Sequence, residues 1–261
     1  MSFINSIRER IYKYVTGKSG KTASESHSMR SSESTLLVQV LTIAFTFLSS
    51  FLISRFLGAS AYGVYVYFFS WVALFSVLAN IGLNQLAVRQ VSVSMSRNEG
   101  KTLSAFIKWS LWRALFYSLL AGSLFYVLSP HLNINDPYLR VLGFFAISLL
   151  GINTLFQGFL AGAHEVVQSQ VPNNLFRPAA VIALILFSLY FKDTIEIENA
   201  ILFGSLGIFF SLLYYLYLSW KKFQSINLSK IGETDKSLWR SSSYYFFLLS
   251  MVSVLNSRAD V

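Results

Sequence analysis

Six long apolar segments dominate the sequence, and they limit the folds open to the chain more than any other feature. They cover residues 36–53, 64–83, 109–128, 141–163, 171–191 and 200–220. Each is close to the ~20 residues that a helix needs to cross the hydrocarbon core of a bilayer. Lipid offers the backbone no hydrogen-bond partners, so segments of this kind are helical. The sequence therefore predicts an all-α, polytopic transmembrane helical bundle.

A seventh apolar segment begins near Ser242 and carries Arg258 and Asp260 just before the last residue, Val261. We expect a six-helix transmembrane lobe over 35–240 and a truncated seventh transmembrane helix over 241–261. If that helix starts at the cytoplasmic surface near Ser242, the two charges lie at the outer boundary of the membrane. If further apolar residues follow, both charges lie inside it, where such groups are costly and usually functional.

The composition excludes several classes of protein. Hydrophobic residues make up 54% of the 261 residues and charged residues 13%, which is too apolar for an ordinary soluble domain. There is no cysteine, so disulfides, thiolate metal sites and cysteine nucleophiles are ruled out. The loops are too short for a folded soluble domain. Activity must therefore lie between the helices, and no cofactor is expected.

Basic residues alternate between the loops, and this alternation predicts the orientation of the chain. Six lie in the N-terminal tail, four after the second segment and five after the sixth, against one each after the first, third and fifth. Cytoplasmic loops are enriched in Lys and Arg, so we predict a cytoplasmic N-terminus. The alternation also explains the net charge of +9 without nucleic acid as a partner.

The polar tail over 1–34 has two parts. Residues 4–15 carry isoleucine and valine at helical spacing among basic residues, which favours a short amphipathic helix on an anionic membrane surface; a frayed tail is the alternative. Residues 19–34 are rich in serine and lack apolar periodicity, so we predict a flexible tether.

Polar side chains recur on one helical face of several segments. They are Gln39, Thr42, Thr46 and Ser49 in the first, Ser76, Asn80 and Asn84 in the second, Asn153 and Gln157 in the fourth, and Ser250, Ser253, Ser257 and Asp260 in the seventh. A single polar residue in a membrane helix usually bonds a neighbouring helix. Repetition on several helices favours a water-filled cavity lined by the first, second and seventh segments.

Small residues four positions apart indicate where helices approach closely. Such pairs are Gly158 with Gly162, Gly207 with Ser211, and Ser118 with Gly122. Small side chains at this spacing form a flat surface on which another helix can pack. We expect these pairs to serve packing within the lobe.

The ionisable residues of the segments differ in depth. Lys108 and Arg113 lie at the cytoplasmic end of the third segment and are predicted to be anchors. Arg177 lies between Pro172 and Pro178, which favours a broken helix of the kind that transporters place beside substrate. The alternative is a helix that begins at Pro178 and leaves Arg177 among the headgroups.

The stretch SRFLGASAYGVYVYFFSWVALFSVLANIGLNQLAVRQ, residues 54–90, resembles the bacterial polysaccharide (O-antigen type) flippases of the multidrug, oligosaccharidyl-lipid and polysaccharide exporter superfamily. The matching residues are Arg55, Leu57, Gly58, Gly63, Tyr65, Gly82, Leu83 and Arg89. The order of the apolar segments and the NSRADV ending are also similar, so the resemblance covers residues 36–261.

The resemblance implies a transporter of two six-helix lobes with alternating access, of which this chain is the N-terminal lobe. Such proteins carry undecaprenyl-diphosphate-linked oligosaccharide units across the bacterial cytoplasmic (inner) membrane for cell-surface polysaccharides such as the O-antigen of lipopolysaccharide. Expected partners are membrane lipid, this substrate, and a polysaccharide polymerase with its chain-length machinery. Since one lobe and an unfinished helix are present, we expect a fragment; a half-size protein that dimerises is the alternative.

The resemblance also implies candidate site residues. Arg55, Arg89, Arg177 and Arg258 are candidates for contact with the diphosphate, because a guanidinium donates two parallel hydrogen bonds to such a group. Asp260 is the candidate for ion coupling. The polar faces of the segments add Asn80, Asn84, Asn153 and Gln157 to the predicted substrate-binding set.

Three other functions remain open on the sequence. A drug or cation antiporter of the same superfamily is expected to have carboxylates in its N-lobe segments, and the six complete segments contain none in their apolar cores. A membrane glycosyltransferase or polymerase would need catalytic groups on a sizeable outer loop, so we expect no enzyme. A non-transporting membrane partner of polysaccharide assembly is the third possibility.

Overall fold

The computed structural model describes residues 23–191 and 196–224, together with 239, 242–246 and 248. The chain divides into two compact units, residues 1–37 and 38–261. The helices are α1 Ala23–Leu57, α2 Ala59–Asn80, α3 Leu83–Ser96, α4 Gly100–Leu128, α5 Pro137–Gly162, α6 Val166–Val171, α7 Arg177–Phe191 and α8 Ile197–Phe223. Short 3₁₀ and π segments cover Ser129–Leu132 and Pro172–Phe176. The predicted all-α fold is confirmed.

Six stretches of the described chain are long and apolar enough to span a membrane, as predicted. They are Leu36–Leu57, Ala59–Asn80, Gly100–Leu132, Pro137–Gly162, Val166–Tyr190 and Ile197–Phe223. The chain is therefore a multi-pass helical membrane protein. The fifth stretch contains α6, the π segment and α7, so these three elements form one span.

The second span is displaced from its predicted bounds of 64–83. It begins straight after Gly58, whose φ of +80° allows a sharp turn out of α1. It ends at Asn80 because Ile81 and Gly82 both adopt left-handed conformations. Leu83 therefore opens α3, a separate helix of 14 residues, rather than closing the span.

The N-terminal tail differs from its prediction. Helix α1 begins at Ala23, so residues 23–34 are helical and not the predicted flexible tether. This part of the tail contains alanine, methionine, glutamate and arginine, which favour helix, and it adjoins a long apolar helix that can propagate into it. The predicted amphipathic helix over 4–15 lies outside the described residues.

Helix α5 is the centre of the bundle, since it packs against α2, α3, α4 and α8. Its glycines allow these contacts. A β-carbon built on Gly158 would lie 2.7 Å from the carbonyl oxygen of Asn84, and one on Gly162 would lie 2.7 Å from that of Val88. Both contacts are with the backbone of α3. The predicted packing role of this pair is confirmed.

The contact between α5 and α4 also depends on glycine. The ring of Phe125 on α4 occupies the place where Gly143 lacks a side chain. This ring also meets Phe75 on α2, with ring centroids 5.5 Å apart. Gly122 lies against the backbone of Phe144, so the predicted close approach there is also confirmed. Interlocking of this kind keeps the helices in van der Waals contact, which is what joins helices in lipid.

Most of the predicted seventh helix lies outside the described residues. Residues 242–246 are helical, and Ser243 donates a hydrogen bond of 2.8 Å to the carbonyl oxygen of Ile81. This bond satisfies a backbone acceptor at the break between α2 and α3. The truncated helix predicted over 241–261 remains a prediction.

We expect Gly158→Ala to lower the thermal stability of the purified protein in detergent. The added methyl group would meet a backbone carbonyl at 2.7 Å, and backbone cannot move aside cheaply. Overpacking of this kind costs about 1–3 kcal/mol. Thermal unfolding followed by circular dichroism measures the change.

Gly63→Ala is the matched control, because a β-carbon at Gly63 meets nothing within 4 Å. Like the test variant, it replaces a helical glycine with alanine, but it creates no clash. The unfolding temperature of Gly63→Ala should therefore be unchanged or slightly higher. Equal losses in the two variants would contradict the steric role assigned to Gly158.

Candidate functional site

A polar cavity of about 290 Å³ lies within the second unit, between α1, α2, α8 and the span that contains α6 and α7. It is lined by Thr42, Thr46, Ser49, Ser50, Ile53, Tyr65, Asn173, Asn174, Arg177, Pro178, Val181 and Gly204. Thr46 and Arg177 lie near the middle of their spans, Leu36–Leu57 and Val166–Tyr190. The cavity is therefore at mid-membrane depth.

The α1 wall of the cavity is made mainly of hydroxyl groups, with Ile53 as its one apolar residue. Thr42, Thr46 and Ser49, three of the four residues in the predicted polar stripe, line it, and Gln39 does not. Thr42 donates to the carbonyl oxygen of Val38 at 2.6 Å, and Ser49 to that of Thr46 at 2.9 Å. These bonds within the helix satisfy the hydroxyl protons, while the oxygen lone pairs remain available to water or a ligand.

The opposite wall is a turn of π-helix over Pro172–Phe176. The N–H of Arg177 donates to the carbonyl oxygen of Pro172, five residues back, in place of the usual four. The span is therefore distorted here but not broken. The alternative of a helix that begins at Pro178 is wrong, because Arg177 lies well inside the span Val166–Tyr190. Single π turns in α-helices are often found at functional sites.

Helix α8 fixes this turn through small and polar residues on one face. The buried Tyr215 hydroxyl donates to the carbonyl oxygen of Ser169 at 2.7 Å. Ser211 donates to Oδ1 of Asn173 at 3.2 Å. Gly207 lets the backbone of Arg177 approach, since a β-carbon there would lie 3.2 Å from its carbonyl oxygen. The predicted close approach at Gly207 and Ser211 is confirmed.

The Arg177 guanidinium is held beside an aromatic pair. Its Cζ lies 5.9 Å from the centroid of the Phe69 ring, and that ring is 4.7 Å from Tyr65. The Phe69 ring in turn occupies the place where Gly204 lacks a side chain. Attraction between a cation and a ring face orients the guanidinium without neutralising it. No described carboxylate forms an ion pair with Arg177, and none lines the cavity.

The remaining predicted arginines of the described chain lie away from this cavity. Arg55 is exposed in the last turn of α1, and Arg89 is exposed on α3. Neither is among the cavity's lining residues. Arg258 and Asp260 lie outside the described residues. The substrate and ion-coupling roles of these four remain predictions.

The predicted amides also lie elsewhere in the bundle. Asn153 is fully buried and donates to the carbonyl oxygen of Ile208 at 3.1 Å, which joins α5 to α8. Oδ1 of Asn80 accepts from the backbone N–H of Asn84 at 3.2 Å, across the break after α2. Gln157 is half-buried on α5. None of the four lines the cavity, so the expected contribution of the second span's polar stripe is absent from it.

Several lining residues lie outside the predicted site set. Asn173 and Asn174 adjoin the prolines that marked the segment, so their position was a usable signal. Tyr65 stands in the stretch that carries the family resemblance. Gly204, which lines the cavity, and Tyr215, which bonds the span behind it, carry no such signal, because their roles depend on which helix faces α8.

The chemistry available at the cavity is that of anion binding. A guanidinium offers five N–H donors in a planar fork that fits phosphate or carboxylate. The surrounding hydroxyl and amide groups are uncharged, so an incoming anion meets attraction without a competing carboxylate. Among the described residues, no three His, Asp or Glu side chains come together as a metal site would require.

The sequence matches the model of a known protein family. The model of a family described as polysaccharide biosynthesis protein matches residues 28–260, which is nearly the whole sequence. The chain therefore belongs to this family, and the resemblance read from the sequence is confirmed. Neither the comparison with curated proteins nor that with solved structures gives a significant match.

We expect Thr46→Cys to react faster with a negatively charged methanethiosulfonate reagent than with a positively charged one of similar size. Thr46 lines the cavity that contains the Arg177 guanidinium, and a fixed charge in a cleft concentrates counter-ions by about tenfold or more. The absence of native cysteine makes each introduced thiol a single reporter. Reaction rates in proteoliposomes measure the preference.

Ile43→Cys is the control, since its side chain is 70% exposed on the outer surface of the same helix and does not line the cavity. Because this surface faces lipid, from which charged reagents are excluded, Ile43→Cys should react slowly with both reagents. Arg177→Gln should abolish the charge preference at Thr46→Cys. An unchanged preference in that background would show that another group sets the potential.

Proposed function

We propose that the protein translocates undecaprenyl-diphosphate-linked oligosaccharide units across the bacterial cytoplasmic membrane for cell-surface polysaccharide synthesis. The observation that carries the proposal is Arg177, an arginine without a described counter-ion in a hydroxyl-lined cavity at mid-membrane depth. Membership of the polysaccharide biosynthesis family supplies the broader setting. This function is transport rather than catalysis.

The cavity suits the headgroup of such a substrate for physical reasons. A charged side chain near the centre of a bilayer costs roughly 2.5–3.5 kcal/mol on insertion scales, so an unpaired arginine is retained where it has a use. A diphosphate carries the complementary charge and accepts paired hydrogen bonds from the guanidinium fork. Hydroxyl and amide groups around it can replace water around a sugar.

The same features disfavour a cation antiporter. Cations are held by carboxylates, and the described cavity is lined by one arginine and uncharged groups. A cation would therefore be repelled at the position where an anion is attracted. Anionic substrate is the better match to the charge of this site.

The distribution of basic residues and the family resemblance support an orientation and a set of partners for the protein. The N-terminus is proposed to be cytoplasmic, so that substrate enters from the inner leaflet and leaves in the outer one. A polymerase and its chain-length machinery would then consume the exported units. Alternating access would involve a second lobe, supplied by the rest of a longer chain or by another copy.

Arg177→Gln is expected to lower transport of radiolabelled lipid-linked oligosaccharide in proteoliposomes by about tenfold or more, since hydrogen bonds to charged groups contribute about 1.5–3 kcal/mol. The transport rate of Arg177→Lys should lie between those of Arg177→Gln and the native protein, because lysine keeps the charge and loses the planar fork of donors. The assay uses the protein together with the proposed second lobe, whether that lobe lies on a longer chain or in another copy.

Arg97→Gln is the matched control, because it removes the same charge from an exposed position at the end of α3. Its transport rate should equal that of the native protein. A native rate in Arg177→Gln would remove the cavity from the transport path. Transport of a cationic drug with no transport of lipid-linked oligosaccharide would favour the antiporter instead.

A further inference from the structure

A second group of cationic and aromatic side chains lies on α4, away from the cavity. Trp109, Arg113 and Tyr117 follow one another at intervals of four residues and therefore share a face of the helix. The Cζ of Arg113 lies 4.6 Å from the centroid of the Trp109 ring. Its Nη1 donates to the Tyr117 hydroxyl at 3.4 Å. The guanidinium is thus held in place by two aromatic neighbours.

The Trp109 ring is itself fixed from the bundle side. Its centroid lies 5.6 Å from that of Trp239 and 6.0 Å from that of Phe106. Phe106 is fully buried in the core between α3, α4, α5 and α8. The ring on which Arg113 rests is therefore part of a packed aromatic cluster, and the position of the guanidinium is preorganised.

The neighbouring face of α4 is directed at lipid. Trp112 is 77% exposed, and Phe116 one turn later is 60% exposed. Lys108, one turn before Trp112, is also exposed. Arg113 itself is half-buried at the border between this face and the bundle. Lys108 and Arg113 are about 140° apart around the helix axis, and Trp112 lies between them. A headgroup seated on Trp112 is therefore within reach of both long side chains.

No described carboxylate accompanies these cations. Helix α4 contains no Asp or Glu, and neither do α2, α3 and α5, the helices packed most closely against it. The described partners of Arg113 are both aromatic. Its positive charge is oriented but not neutralised by any described group.

We propose that this surface, formed by Lys108, Trp109, Trp112, Arg113 and Tyr117, is a binding site for the headgroup of an anionic phospholipid of the surrounding bilayer. Five residues of helix separate the two cations, so Arg113 lies about 8 Å deeper than Lys108. Helical side chains lean toward the N-terminus, and the contact with Trp109 directs Arg113 toward the level of Lys108. The phosphate lies between the guanidinium and the ammonium group.

The aromatic residues set the level of the site in the bilayer and form the surface against which the lipid packs. Tryptophan prefers the interface between headgroups and acyl chains, so Trp112 places the bound lipid at that level. The acyl chains pack along Phe116 and the exposed leucines of the same face. Basic residues at the membrane surface attract anionic headgroups, and a zwitterionic headgroup gains less from them. The site is independent of the proposed transport function and needs no substrate.

The experiment is native mass spectrometry of the purified full-length protein titrated with phosphatidylglycerol or phosphatidylethanolamine of identical acyl chains. The native protein should bind the first phosphatidylglycerol more tightly than the first phosphatidylethanolamine. Arg113→Gln should reduce that preference by about fivefold, the contribution of one basic residue at a membrane surface. Arg97→Gln removes the same charge from a loop and should leave the preference unchanged.

Two further variants keep the test decisive if Arg113→Gln folds poorly. Tyr117→Phe keeps every charge and removes the hydroxyl that aligns Arg113, so its preference should fall between those of the native protein and Arg113→Gln. Lys108→Gln, as a single substitution, should also reduce the preference for phosphatidylglycerol over phosphatidylethanolamine. An unchanged preference in both variants, or equal losses in Arg113→Gln and Arg97→Gln, would overturn the proposal. Displacement of phosphatidylglycerol by equimolar undecaprenyl diphosphate would also overturn it and assign the surface to that headgroup.

Discussion

The close packing of α5 against its neighbours is the constraint on which the structure depends. In lipid, apolar side chains gain nothing by leaving one hydrocarbon surface for another, so helices are joined by close contact and hydrogen bonds. Gly158 and Gly162 bring α5 onto the backbone of α3, and Gly143 admits a ring from α4. The buried amide of Asn153 then adds a hydrogen bond to α8. Helix α5 is the common partner through which α3, α4 and α8 take their positions.

The cavity is a consequence of that arrangement at its periphery. Helix α8 holds the π turn by two side-chain hydrogen bonds, from Tyr215 and Ser211, and by the gap at Gly207. Because the turn is held, the residue that follows it, Arg177, has a fixed backbone beside the cavity. Gly204 makes room for the Phe69 ring, which orients the guanidinium. The position of one charge thus depends on four residues of α8 that do not carry charge.

The sequence predicted the features that follow from composition and local spacing. The number of membrane spans could be predicted because it follows from the length of the apolar segments. The packing role of Gly158 and Gly162 could be predicted because close helix contact requires small residues at this spacing. The π turn was not, because a proline can break, kink or merely shift the hydrogen bonds of a helix, and the choice depends on the bonds that α8 offers. Asn153 and Thr46 looked alike as polar residues in membrane helices. One is buried between helices and the other lines the cavity, a difference set by which neighbour each helix faces.

Helix α1 packs less closely against its neighbours than the other membrane-spanning helices do. Along its span, Val38, Ser49 and Ile53 are buried, while most of its large apolar side chains face outward. The other walls of the cavity belong to helices that interlock through glycine, rings and hydrogen bonds. The cavity therefore has one compliant wall and several stiff ones. A change in its width would be taken up by α1, the wall whose outer face carries exposed apolar side chains suited to lipid.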